Sequence, residues 1–341
     1  MRLGLTLGYS GSQMHLDWEM ILEDERLGYD SVWTAEAWGS DAVSPAAYIA
    51  ARTSRIKVGT AIMQLPARSP SCTAMTAMTM DALSEGRFIL GLGTSGPQVV
   101  EGWHGRPWHK PLTWMREYLT IVNTIIAREK PLSFQGEHYR IPYDGPNAAG
   151  LGKPLKSILH GRRVPIYQGA MAPKGQALSA ELCDGVLLTC MDPTKPEVVT
   201  RNLDEGFAIS GRSLSDFDLA PTVAVIVVDD LEMARAPLKE MLALYIGGMG
   251  ARDRNFYKEY VQRVGFEGEA QRIQDLYLAG DKRGAVAAVP DAMVDAFNLV
   301  GPPDRIRGEF ARWKACNAVG TLVVGARQIE ALRLMAELVL S

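Results

Sequence analysis

The stretch Arg87-Phe88-Ile89-Leu90-Gly91-Leu92-Gly93-Thr94-Ser95-Gly96-Pro97-Gln98 decides how the rest of the chain is read. An apolar run of strand length ends in a glycine-rich turn. Pro97 stands where a helix would open, and its fixed φ suits a first helical turn. Backbone N–H groups in such a turn, with a helix N-terminus behind them, form a site for an anion or an electron-rich ring edge. Gly91-x-Gly93-x-x-Gly96 also spells the dinucleotide fingerprint. That reading needs the motif in the first βα unit, with an acidic residue ending a following strand. Here it falls in the fourth unit, and no acidic residue stands at the required distance.

On either side of this stretch, strands and helices alternate. Apolar runs of strand length lie at Leu3–Leu7, Ser31–Ala35, Ile56–Met63, Phe88–Leu92, Val164–Gln168, Gly185–Thr189, Leu219–Val228 and Ala318–Gly325. Helical patterns follow them, among them Pro70–Leu83 with Ser69 as N-cap and Pro70 in the first turn. Eight apolar strands each followed by a helix predict right-handed crossovers and a closed (β/α)8 barrel, a TIM barrel, as a single domain over residues 1–341. Two segments break the alternation and read as insertions. One, at about 130–163 after strand four, carries a hairpin and a Gly/Pro/Asn-rich loop. The other, at about 232–296 after strand seven, is helical.

The 341 residues are 47% hydrophobic and 22% charged, enough for a large core, and the net charge of −3 shows no basic block for nucleic acid. Cys72, Cys183, Cys190 and Cys316 lack zinc or CxxC spacing and read as small buried residues. No apolar stretch is long enough to span a membrane, and the N-terminus has no signal-peptide pattern, so the expected location is cytoplasmic.

In a barrel, chemistry sits at the C-terminal ends of the strands. The residues there include Tyr9, Glu36-Ala37-Trp38, Ala61-Ile62-Met63-Gln64, Thr94-Ser95-Gly96, Gly169-Ala170-Met171 and Thr189-Cys190-Met191. The set is poor in acids and bases and holds no metal-ligand cluster, so no metal is expected. Small residues and backbone turns suit a large cofactor that brings its own reactivity. Glu36 reads either as a site residue or as a structural salt-bridge partner. Trp38, Trp103 and Trp108 read either as pocket wall or as aromatic core. His104 reads as a proton donor or as a packed histidine.

The chain resembles the bacterial luciferase-like superfamily, the flavin- and deazaflavin-dependent barrels. The resemblance rests on Gly28-Tyr29-Asp30-Ser31-Val32-Trp33, Lys57-Val58-Gly59-Thr60-Ala61-Ile62 and Asp81-Ala82-Leu83-Ser84-Glu85-Gly86-Arg87 running into the stretch quoted above. Val164-Pro165-Ile166-Tyr167 and Ala180-Glu181-Leu182-Cys183-Asp184-Gly185-Val186 add to it. Ser95-Gly96-Pro97-Gln98 through Trp103-His104-Gly105 is similar to a branch that uses coenzyme F420.

The resemblance implies a non-prolyl cis peptide at Ala61–Ile62, behind the cofactor's central ring, with Tyr9, Met63 and Gln98 nearby. It implies Thr94, Ser95 and Gly96 at the pyrimidine edge or ribityl arm. Gly169, Ala170, Met171 and Ala172 would offer N–H groups to the phosphate, with Lys174 adding charge. Glu36 takes the place of an acid near the ring, orienting or protonating, while Trp38 shapes the pocket. Relatives that oxidise alcohols carry a histidine after that acid and a glutamate after strand four; here these positions are Ala37 and Gly96. The implied activity is therefore hydride transfer between coenzyme F420 and an organic substrate, as a reductase of an activated C=C, C=N or C=O group. An FMN-dependent monooxygenase and a non-catalytic cofactor-binding protein of the same fold stay open. The resemblance also implies a homodimer, with the Pro70–Leu83 helix contributing.

Overall fold

Each of the eight expected strands forms, and each pairs in parallel with the next. In the computed structural model, which describes residues 1–250 and 252–340, these are β1 Arg2–Thr6, β2 Ser31–Thr34, β3 Lys57–Thr60, β4 Phe88–Gly93, β5 Ile166–Gly169, β6 Gly185–Leu188, β7 Asp218–Val227 and β8 Thr321–Gly325. Pairing runs in that order, and β8 returns to β1, so the sheet closes as a (β/α)8 barrel. Two short strands extend it: Met63–Gln64 beside the end of β4, and Leu299–Gly301 beside β7.

The interior is filled. Trp33, Ile89, Tyr167, Leu187, Ala220 and Val323 form a buried plug, with Ala61 and Ile62 packed against it. At the N-terminal end of the barrel, Asp218 accepts hydrogen bonds from the Tyr167 hydroxyl (2.7 Å) and the Thr321 hydroxyl (2.7 Å) and pairs with Arg2 (2.7 Å). That network ties β1, β5, β7 and β8 together and leaves the opposite end for chemistry.

Two segments differ from the sequence reading. The apolar run Ile56–Met63 is not one strand: it breaks at Ala61–Ile62, whose peptide bond is cis, before Met63–Gln64 resumes pairing. Residues 298–317, to which the sequence reading gave no element, hold the strand Leu299–Gly301 and the helix Pro303–Ala315, which buries Ile306, Phe310 and Trp313 at helical spacing.

The insertion at 130–163 forms the expected hairpin, Phe134–Gln135 against Arg140–Ile141. The Glu117 carboxylate, on the helix Pro111–Ala127, accepts from the N–H groups of Glu137, His138 and Tyr139. Further on, Ser157 reaches Met78 and Arg162 reaches the Glu85 carbonyl. The insertion is thus bound to the outer helical layer.

Asp24, on the helix Trp18–Leu27, is fully buried, and neither carboxyl oxygen has a partner among the described residues. Burial pushes its pKa well above the ordinary carboxyl range, with Glu25 adding to the shift. At low pH both folded and unfolded chains hold this proton. As pH rises past about 3.9 the unfolded chain releases it and the folded chain does not, so stability falls by about 1.4 kcal/mol per pH unit until the folded pKa is reached. Asp24→Asn is expected to melt like the parent near pH 4 and progressively higher than it towards pH 7. A constant difference in melting temperature across that range would refute this assignment.

Candidate active site

With all strands parallel, the loops after them gather at one end. Glu36 follows β2 and its side chain is buried. Oε1 accepts from the Ala42 N–H (3.2 Å), while Oε2 accepts from the Gln64 N–H (2.8 Å) and from Arg68 Nη1 (2.9 Å). Arg68 Nη2 stands 2.9 Å from Oε1, completing a two-pronged pair. The Gln64 side chain donates to the Glu36 carbonyl (3.0 Å), and its Oε1 lies 2.9 Å from His104 Nε2. Glu36, Gln64, Arg68 and His104 thus form one cluster joining the loops after β2, β3 and β4. Every contact of the Glu36 carboxyl is made as an acceptor. As placed, it organises three loops rather than standing free to give a proton.

His104 follows the six-residue helix Pro97–Gly102. Its N–H donates to Val99 (3.1 Å), and the Arg106 N–H to Val100 (3.1 Å), which fixes the turn carrying the ring. Burial lowers the pKa of His104; Glu36 opposes this, and Arg106 and Arg68 lower it further. Ser95, at φ +63°, turns the chain from β4 towards this helix. Thr94, Ser95 and Gly96 are half-buried there, and Gln98 is exposed.

The glycines of the quoted stretch turn out to be structural. Gly91 and Gly93 lie inside β4. A Cβ on Gly91 would stand 1.7 Å from the Thr60 carbonyl oxygen, and one on Gly93 would stand 2.7 Å from Ile62 Cδ1. They admit the break in the third strand to the wall of β4. Gly169 has the same duty, because its Cβ would meet Ile62 Cγ2 at 3.2 Å. Met63 is buried in the core between sheet and helices, so its side chain is not available to a cofactor.

After β5 the expected backbone donors are narrowed to fewer groups. The Ala170 N–H is taken by the Leu187 carbonyl (3.3 Å). The carbonyls of Ala170 and Met171 accept from Gln176 (3.3 and 3.4 Å), and Arg263 donates to the Met171 carbonyl (3.2 Å). The N–H groups of Met171, Ala172 and Lys174 have no acceptor among the described residues. They open the helix Pro173–Leu182, and the Lys174 side chain is exposed beside them.

The insertion after β7 closes the far side. Its helices Leu231–Gly248 and Phe256–Arg263 bring Tyr245 and Tyr257 edge to face, ring centroids 4.6 Å apart. Tyr245 lies beside Tyr9 from the loop after β1, and Tyr257 lies beside Thr189 from the loop after β6. Tyr9 is 61% exposed; Trp38 and Trp103, on the loops after β2 and β4, are 60% and 64% exposed. Trp38 offers an apolar face and no acid or base. Sequence reasoning missed Arg68, Tyr245 and Tyr257 and gave Gln64 no role. Gln64 stood among the residues after strand three, but nothing marked the other three.

A sequence profile described as luciferase-like monooxygenase matches residues 9–318. The chain belongs to this family. Within its reach, a Mycobacterium tuberculosis protein provisionally named a coenzyme F420-dependent oxidoreductase is 45% identical over 344 residues, covering 99% of both chains. A 5,10-methylenetetrahydromethanopterin reductase of Archaeoglobus fulgidus is 29% identical over 90% of this chain and 88% of that one. Among solved structures, the coenzyme F420-dependent tetrahydromethanopterin reductase of Methanopyrus kandleri superposes with a TM-score of 0.76 at 22% identity, covering 99% of this chain and 98% of that one. That likeness places the luciferase-like chain in the same barrel fold.

Proposed function

We propose that this protein is a coenzyme F420-dependent oxidoreductase that reduces an activated C=C, C=N or C=O group of a small organic substrate. The carrying observation is the donor set at the barrel mouth. It holds uncommitted backbone N–H groups, an apolar ledge and one half-buried histidine, while the Glu36 carboxyl after β2 accepts on both oxygens. Such a site binds and orients but cannot itself move electrons, so reactivity has to come from a bound redox cofactor. The full-length relative at 45% identity supports coenzyme F420 as that cofactor. Hydride exchange with the substrate carbon is the chemistry this cofactor supplies when bound.

The residues present fit it. Met171, Ala172 and Lys174 N–H at the opening of the helix Pro173–Leu182, with the Lys174 ammonium, suit a phosphate. Ala61 and Ile62 give a firm apolar support, because the plug beneath them is packed and Gly93 and Gly169 let Ile62 lie against β4 and β5. Glu36 holds Arg68 and Gln64, and through Gln64 it fixes the loop carrying His104. Tyr9, Tyr245 and Tyr257 offer aromatic surface at the same end of the barrel. Ala37, where alcohol-oxidising relatives carry a histidine, favours the reductive direction. Substrate selection then rests on the insertion after β7. A homodimer belongs to the same reading: the helix Pro70–Leu83 leaves Met75 and Leu83 exposed for it.

Fluorescence titration of the purified protein tests the cofactor. Saturable binding of F420 is expected, weakened by Lys174→Glu and not displaced by equimolar FMN. Tight FMN binding with none of F420 would overturn the reading.

A further inference from the structure

We propose that His104 is the group that exchanges a proton with the substrate, through Nδ1, and that Gln64 is the positioning residue that selects this nitrogen. The proposal rests on the F420 reading above and adds a proton path to it.

Hydrogen-bond polarity selects the nitrogen. The Gln64 amide has two ends. Its nitrogen faces the Glu36 carbonyl oxygen at 3.0 Å, a contact only an N–H can make favourably. Its oxygen must then face His104 Nε2, 2.9 Å away. Turning the amide over would set two oxygens against each other at Glu36 and is resisted. The amide is pinned further by its own backbone: the Gln64 N–H donates to the Glu36 carboxylate, which Arg68 in turn holds. An oxygen at Nε2 requires Nε2 to carry hydrogen. In the neutral ring, Nδ1 therefore holds the lone pair, and in the imidazolium it holds the proton that can leave. Nδ1 has no hydrogen bond among the described residues, and the ring is half-buried at the mouth of the barrel.

The chemistry balances. Hydride arrival at the substrate carbon brings two electrons and leaves negative charge on the neighbouring atom. The His104 Nδ1–H bond breaks, a new bond to hydrogen forms on that atom, and the imidazole becomes neutral. The electrons come from reduced F420, which is oxidised, and solvent returns the proton to Nδ1. The charged groups facing the ring are Glu36, from the loop after β2, Arg68, from the turn after Met63–Gln64, and Arg106, on its own loop. Burial and the two arginines lower its affinity for a proton, and Glu36 restores only part. The reductive rate should therefore fall as pH rises, with a midpoint below the ordinary histidine value of about 6.5.

The test combines nitrogen-15 imidazole NMR of the full chain with kinetics, the His104 signals being identified by their loss in His104→Asn. The expected wild-type spectrum is the Nε2–H tautomer at high pH, and Gln64→Met should give a mixture of tautomers and a moved midpoint. His104→Asn should lower the maximal reductive rate about 10²–10⁴-fold with unchanged F420 affinity. Gln64→Met should move the pH midpoint of the rate as it moves that of the ring. An Nδ1–H tautomer in the wild type, a tautomer indifferent to Gln64, or a His104→Asn variant at full rate would each overturn the proposal. A wild-type chain that does not bind F420 removes the cofactor reading instead, and the tautomer measurement still decides the role of Gln64.

Discussion

Gly91→Ala is expected to leave little or no folded protein. The added carbon would sit 1.7 Å from the Thr60 carbonyl oxygen, and that oxygen belongs to backbone, not to a side chain that can swing away. The two strands are also locked face to face there. The Gly91 N–H donates to the Thr60 hydroxyl (2.9 Å), which donates in turn to the Gly91 carbonyl (2.8 Å). Relief requires β3 and β4 to part where the barrel wall is closed. Ordinary overpacking costs about 1–3 kcal/mol; a rigid overlap of this size belongs to the exceptional class above about 4 kcal/mol. Against a total stability of about 5–15 kcal/mol, that suffices to send most of the chain to the insoluble fraction. Gly102→Ala, whose new carbon meets nothing within 4 Å, is the matched control and should melt like the parent. A soluble Gly91→Ala protein with the parental melting temperature would show that β3 and β4 do not approach as described.

The second large effect is expected from Glu36→Ala. It leaves the half-buried Arg68 guanidinium with only the more distant Asp41 carboxylate (3.8 Å) and removes the acceptor of the Gln64 and Ala42 N–H groups. Losing the acceptor of two buried N–H groups costs about 1–3 kcal/mol for each group left unsatisfied, and the weakened hold on Arg68 adds to it. Glu36→Gln keeps the shape and should lose less. Thermal melts of both variants check the order. The His104 signals should also shift in both, since Gln64 links the two residues. Wild-type stability in Glu36→Ala would remove Glu36 as the organiser of the cluster.

The contrast between these two residues shows what a sequence makes legible. The barrel could be read because period and punctuation repeat eight times, and each repeat corrects errors in its neighbours. The glycine stretch also located the mouth, but for another reason than its letters suggested. Gly91 and Gly93 are glycine because a broken third strand presses on β4, a long-range contact that local pattern does not encode. The same limit hid the role of Glu36. Its place after a strand was visible; that its oxygens would be consumed by Arg68 and Gln64, 32 and 28 residues away, was not. Tyr245 and Tyr257 come from helices with ordinary amphipathic patterning, and only tertiary packing brings them to the loops after β1 and β6. Backbone donors are legible by position yet not by availability: nothing local says that the Ala170 N–H pairs with Leu187 while those of Met171 and Ala172 are left uncommitted.

The central claim is that electrons enter as hydride from coenzyme F420 without oxygen. It is tested most directly by following reduced F420 spectroscopically in the absence of air, against a panel of compounds with activated C=C, C=N and C=O groups, with oxygen uptake measured in parallel on reduced FMN. The account predicts oxidation of reduced F420 by at least one panel compound, with stoichiometric reduction of that compound, and no enzyme-dependent oxygen uptake with FMN. Oxygen consumption that depends on the protein and FMN, together with no oxidation of reduced F420 by any compound, would contradict it.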